Sequence, residues 1–166
     1  MINFSAAIKQ YNGGRDEAAW TKYVIENASE LLGDYDIPIK SEPIPDPQES
    51  GEVIKLVGNN FKSLVETDKN VLIKFYAPWC GHCKAMADDY IQLAKGFEGQ
   101  DVIIAEIDAT ANESPSDYEY TGFPTLFWKP AGTDKPEKYE GGRTEEALSK
   151  FVLDKLGAVP VEKDEL

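Results

Sequence analysis

The chain has 166 residues, 42% of them hydrophobic, with 3 Trp, 8 Tyr and 7 Phe, so it can bury one core of ordinary size and does not have the composition of a disordered chain. Seventeen Lys and Arg stand against 30 Asp and Glu, a formal net charge of -13, which excludes a nucleic-acid binder or an anionic-membrane binder held by clustered cations. No apolar run reaches the length of a membrane-spanning helix, so no membrane insertion is expected, and the acidic surface reads as a solvated one.

The first thirty residues carry no basic start followed by a continuous apolar stretch, so they do not read as a secretory signal. Residues 16–32 have Trp20, Tyr23, Val24, Ala28, Leu31 and Leu32 at three- and four-residue spacing, with Gly33 placed to stop an amphipathic helix. Such a lone helix must end a preceding domain or dock on the next one, and residues 1–35 are read as a remnant of a preceding domain. Residues 36–50, with Pro38, Pro43, Pro45 and Pro47, have linker composition.

From residue 53 strands and helices alternate. The expected elements are a strand over 53–57, a helix capped by Asn59 or Asn60 and running to Glu66, and a strand over 71–76. The last is a nearly continuous apolar run, as a strand covered on both faces should be. One helix is expected from Cys80 to Gly96, with Met86, Tyr90, Leu93, Ala94 and Phe97 on its apolar side. Then follow a strand over 102–107, a short helical piece over 117–120, and a strand pair, 124–128 with 138–140. Thr144 caps a final helix ending near Leu156 and Gly157. The order βαβαβαββα implies an α/β domain over 51–157, a central mixed sheet flanked by helices, with the N-terminal helical extension before it. Residues 158–166 form a tail.

That tail ends in Lys163-Asp164-Glu165-Leu166, which at a C-terminus is a retention signal read by a receptor in the endoplasmic reticulum. Lumenal residence, a KDEL receptor as partner, and a longer natural chain with this segment at its end are the expectations it raises. Asn3, Asn27 and Asn112 meet the glycosylation pattern but are expected to be unused.

The chemistry is concentrated at Cys80-Gly81-His82-Cys83, where a strand hands over to a helix. A cysteine at a helix N-terminus meets unpaired N–H groups and the helix dipole, which favour the thiolate that attacks disulfides. A second cysteine one turn along can attack back and resolve the mixed disulfide. Cys80 is thus the nucleophile and Cys83 the resolving residue. His82, the only histidine, would stabilise the Cys80 thiolate as a partial or full cation. A structural zinc needs four ligands and these three exhaust the Cys and His supply, so no metal and no cofactor is expected. A structural disulfide closing so short a loop would be a weak staple. Either a redox enzyme or a binding module with incidental thiols accommodates these residues, and loss of activity in a Cys80→Ser/Cys83→Ser form separates the two.

At 77–84, Ala-Pro-Trp-Cys-Gly-His-Cys-Lys, the sequence closely resembles the protein disulfide isomerase family, and the likeness extends through 71–77, 108–113, 122–125 and 139–143. It covers about residues 51–157 and looks like the second catalytic domain of that family, a thioredoxin-like fold; residues 1–35 resemble, more weakly, the end of the noncatalytic domain before it. The resemblance implies a thiol–disulfide oxidoreductase and isomerase with chaperone character, acting on unfolded or misfolded cysteine-containing proteins, with an oxidase or glutathione as redox partner. Isomerisation also needs a substrate-holding domain that residues 1–35 do not contain. Pro124 matches the family's cis-proline, whose loop offers backbone hydrogen bonds to an extended substrate. Arg143 matches an arginine that favours ionisation of the resolving thiol, and Trp79 and Phe123 match an apolar contact surface, although Trp79 suits a structural role as well. The chain departs from the family where a strand glutamate is replaced by Lys74 and the lysine of the next strand by Glu106. Either the exchanged pair still moves the proton of Cys83, or it only preserves charge balance beside a water that does so.

Overall fold

The computed structural model describes residues 40–48, 51–133 and 135–157; the helix expected over 16–32 and the four C-terminal residues lie outside them. Five strands form one sheet: β1 (Ile54–Leu56), β2 (Asn70–Tyr76), β3 (Val102–Asp108), β4 (Thr125–Lys129) and β5 (Glu137–Tyr139), in the order β1-β3-β2-β4-β5. The first three positions run parallel, β4 is antiparallel to β2, and β5 is antiparallel to β4. The helices are α1 (Gly58–Val65), α2 (Gly81–Ala85), α3 (Ala87–Gly96) and α4 (Glu145–Leu156).

Alternation along the central strands divides the core in two. Leu72, Ile104, Leu126 and Trp128 pack under Tyr90 and Leu93 of α3 and Leu148 and Val152 of α4. Their neighbours Val71, Ile73, Phe75, Ile107 and Phe127 pack with Phe61 and Val65 of α1 and with Tyr118. Covering both faces explains why the 71–76 run is apolar almost without interruption.

Three expectations change. The helix expected from 80 to 96 is broken at Met86, whose backbone (φ -96°, ψ 5°) both ends α2 and opens α3. The break lets Met86 itself be buried while Tyr90, Leu93, Ala94 and Phe97 meet the sheet. Residues 117–120 form no helix: Tyr118 N–H closes a single turn on the Pro115 carbonyl at 3.1 Å, and the Tyr118 ring goes into the core between Phe61 and Phe127. Finally, α1 begins before Asn60, which is its third residue; the Asn60 side chain accepts from Val57 N–H at 2.7 Å and so serves the helix start from inside. The element order is therefore βαβααβββα. Thr144 caps α4 as expected, Oγ1 accepting from Ala147 N–H at 3.3 Å, and Gly157 ends it at φ 69°, a region that favours glycine.

Residues 40–48 lie along the domain as a strap without regular structure. The buried Asn112 holds it: Oδ1 accepts from Glu42 N–H at 2.8 Å and Gly58 N–H at 3.2 Å, while Nδ2 donates to Glu42 Oε2 at 2.8 Å and the Asp108 carbonyl at 3.0 Å. A glycan at this amide would displace all four. Further along, the Gln48 side-chain amide donates to the Val53 carbonyl and accepts from Lys55 N–H, engaging the edge of β1 as a strand's peptide would.

Candidate active site

β2 delivers the chain to a turn, Ala77–Trp79, from which α2 departs, and Cys80 is its N-cap. Cys83 N–H donates to Cys80 Sγ at 3.4 Å, and the Cys80 thiol donates to the Phe123 carbonyl at 3.5 Å. By area the two cysteines are covered almost equally, 7% and 5% exposed, in a cluster with Ala77, Tyr76 and Phe123. Their ionisation differs. A hydrogen bond from the Cys83 side chain holds the Cys80 thiol below its ordinary value; burial opposes it, and the backbone N–H groups of Cys83 and His82 and the Arg143 charge add to it. Cys83 is pushed up to about 11, first by burial and then by donating to Cys80, with the Ala77 backbone and the Lys74 charge pulling the other way. One thiol is prepared to attack and the other to wait.

The surroundings of Cys80 come from three loops. His82 is exposed, and it is its backbone N–H that acts on Cys80. A Cβ on Gly81 would meet nothing within 4 Å, so the approach over α2 is open. The Phe123–Pro124 peptide bond is cis and sits beside the dithiol, with Arg143 donating to the Pro124 carbonyl at 3.5 Å. Trp79, 72% exposed, meets the Phe123 ring edge-on at 6.1 Å, and Phe123 continues to Tyr120 at 5.6 Å. Among the described residues no group of three or more His, Cys, Asp and Glu could hold a metal ion, and no helix is long and apolar enough to cross a membrane.

Lys74 and Glu106 are direct partners in the β2–β3 register. Their ion pair is 2.6 Å long, with the Lys74 side chain 4% exposed and that of Glu106 19%. Lys74 Nζ also lies 4.3 Å from the centre of the Tyr90 ring, a cation–π contact, and the Tyr90 hydroxyl donates to the carbonyls of Leu72 and Ala105. The buried cation thus has a carboxylate and an aromatic face, the kind of pairing that makes burial tolerable.

A family model described as Thioredoxin matches residues 52–154. The chain belongs to the thioredoxin family. Within that family it is 48% identical over 133 residues to human protein disulfide-isomerase A4, covering 77% of this chain and 20% of the relative. It is 44% identical over 158 residues to protein disulfide-isomerase of Aspergillus niger, covering 83% and 30%. The chain therefore spans between a fifth and a third of the length of these relatives. Among solved structures, the first thioredoxin domain of mouse protein disulfide-isomerase A4 superposes with a TM-score of 0.57 at 30% identity, covering 81% of this chain and 92% of that one.

The structure of this thioredoxin domain brings Trp79, Phe123, cis-Pro124 and Arg143 to the dithiol and pairs Glu106 with Lys74, whose charge acts on Cys83, and it adds two residues. Tyr90 was legible only as an apolar helix position; alternation that puts positions 74 and 106 on the α3 side would have paired it with the lysine. Tyr76 is a second addition. It packs on the dithiol, and its phenol is pushed up to about 12, mainly by burial and then by Glu106, Asp108 and Glu42.

Proposed function

We propose that this domain forms, reduces and rearranges disulfides in cysteine-containing proteins folding in the endoplasmic reticulum, as an oxidoreductase and isomerase of the protein disulfide isomerase type. The opposite ionisation of the two thiols carries the reading. In reduction, the Cys80 thiolate attacks a substrate disulfide, and the departing sulfur leaves as a thiolate and takes a proton. Cys83 then loses its proton and attacks Cys80 Sγ, so that the Cys80–Cys83 bond forms as the bond to substrate breaks. Oxidation is the same sequence reversed, with an oxidase or glutathione disulfide, which is reduced to two glutathione thiols, restoring the Cys80–Cys83 disulfide.

In this scheme the His82 backbone and the Arg143 charge stabilise the attacking Cys80 thiolate, whereas the resemblance implied that Arg143 acts on the resolving thiol. Gly81 keeps the approach open, and Trp79, Phe123 and cis-Pro124 form the surface on which an extended substrate lies. Glu106 accepts the proton of Cys83 while Lys74 holds that carboxylate in place and favours the nascent thiolate. The C-terminal Lys-Asp-Glu-Leu would keep the protein in the lumen through its receptor.

The test is the redox couple itself. We expect a reduction potential more oxidising than about -270 mV, the thioredoxin value, together with insulin reduction and refolding of a scrambled substrate that both vanish in Cys80→Ser/Cys83→Ser. A potential as reducing as thioredoxin's, or activity surviving the double substitution, overturns the reading. For the relay, Glu106→Gln should slow mixed-disulfide release on the order of tenfold or more and flatten its pH dependence.

A further inference from the structure

The Glu106 carboxylate does not end in the core. It borders a cavity of about 210 Å³ whose inner wall includes Tyr76 and Asp108 and whose outer wall is Glu42, Pro43 and Pro45 of the strap. That volume holds several waters at about 30 Å³ each. Tyr76 is shared: its ring packs on the cysteine cluster and also lines the cavity, and charge on Cys83 is felt at its phenol. Lys74 touches both ends of the same line, paired with Glu106 and acting on the Cys83 thiolate. Tyr76 and the Lys74–Glu106 pair are thus the groups shared by the dithiol and the cavity.

We propose that the strap is a working part of the dithiol site: residues 42–45, clamped by Asn112, form the outer wall of the passage through which the proton of Cys83 leaves for solvent. This rests on the relay reading above. When Cys83 attacks Cys80, its proton passes to the Glu106 carboxylate through a bridging water, and Glu106 returns it to water in the cavity before the next cycle. No oxidant beyond the substrate disulfide is needed. The walls contribute the carboxylates of Glu42 and Asp108 against the single cation of Lys55, so the passage favours neutral or cationic carriers over anions. Glu42 and Asn112 are positioning residues: they hold the wall and touch no reacting sulfur.

Chemical rescue tests this. In Glu106→Gln, imidazole should restore release of glutathione from a Cys80–glutathione mixed disulfide, whereas a bulky tert-butyl imidazole of similar basicity should not. Adding Lys55→Trp, at an exposed β1 position lining the cavity, should abolish rescue; adding Lys55→Ala, which keeps the space open, should retain it. Adding Asn112→Asp, or Glu42→Ala should that variant fail to fold, opens the wall at Glu42 while Lys40, Ser41 and Gln48 keep the strap attached, and should let the bulky base rescue as well as imidazole. Equal rescue by both bases in Glu106→Gln alone, or rescue indifferent to Lys55→Trp, overturns the passage. A Glu106→Gln protein that releases glutathione at the parental rate instead overturns the relay, and the passage with it.

Discussion

Cys80 and Cys83 show that coverage by area is a poor guide to reactivity, since two almost equally covered thiols shift in opposite directions, Cys80 lowered first by the hydrogen bond it accepts from Cys83 and Cys83 raised first by burial and then by donating that bond. The His82 backbone N–H is one of the donors favouring the Cys80 thiolate, so His82→Pro should raise the Cys80 pKa by deleting it. The check is the pH midpoint of iodoacetamide labelling at Cys80, which should lie below about 8.5 in the parent and move upward in the variant. Lys74 makes a second residue-scale prediction. Lys74→Met strands Glu106 without its cation and should cost about 3 kcal/mol in urea unfolding. Lys74→Met/Glu106→Leu should recover most of that, because the loss comes from an unpaired charge and not from the missing pair. Both residues were legible in the sequence as charges in neighbouring apolar runs. Tyr90 beneath them was not, because an aromatic on a helix stripe is read as core and its hydroxyl partners are backbone groups.

Elements whose ends are marked by side-chain chemistry are the ones that could be read. Thr144 and Gly157 bracket α4 with local hydrogen bonds and a local dihedral. Thr144→Ala should therefore cost about 1 kcal/mol, seen as an earlier urea midpoint with an unchanged slope. Met86 breaks α2 from α3 with neither proline nor glycine present, because packing decides it: the break buries Met86 while the rest of α3 meets the sheet. Residues 117–120 escaped for a related reason. A helix-like run there yields to the burial of Tyr118, which sets the chain direction after Pro115. The strap was legible as proline-rich and polar, but its anchorage depends on Asn112, seventy residues away in sequence. No local pattern announces such a contact.

At the scale of the whole molecule, the thiols tie folding to redox state, because ionisation differs between folded and unfolded chains only when the disulfide is open. Cys80 is depressed in the folded protein. Its contribution is therefore full above the unfolded thiol value, about 8.5, and is lost as pH falls through the folded value. Cys83 is raised to about 11, so its contribution is present below the unfolded value and lost as pH rises toward the folded one. The stability of the reduced domain relative to the oxidised one should therefore climb with pH up to about 8.5, then fall at higher pH. Paired urea titrations of the reduced and oxidised forms across that range provide the measurement. Cys83→Ser should shrink the alkaline fall of the reduced form to what the buried tyrosines contribute and, because the serine hydroxyl can still donate to Cys80, leave the climb in place. A difference that does not vary with pH would show that the two thiols ionise alike in the folded and unfolded chain. In that case the opposed shifts could not be what favours the proposed exchange at this dithiol.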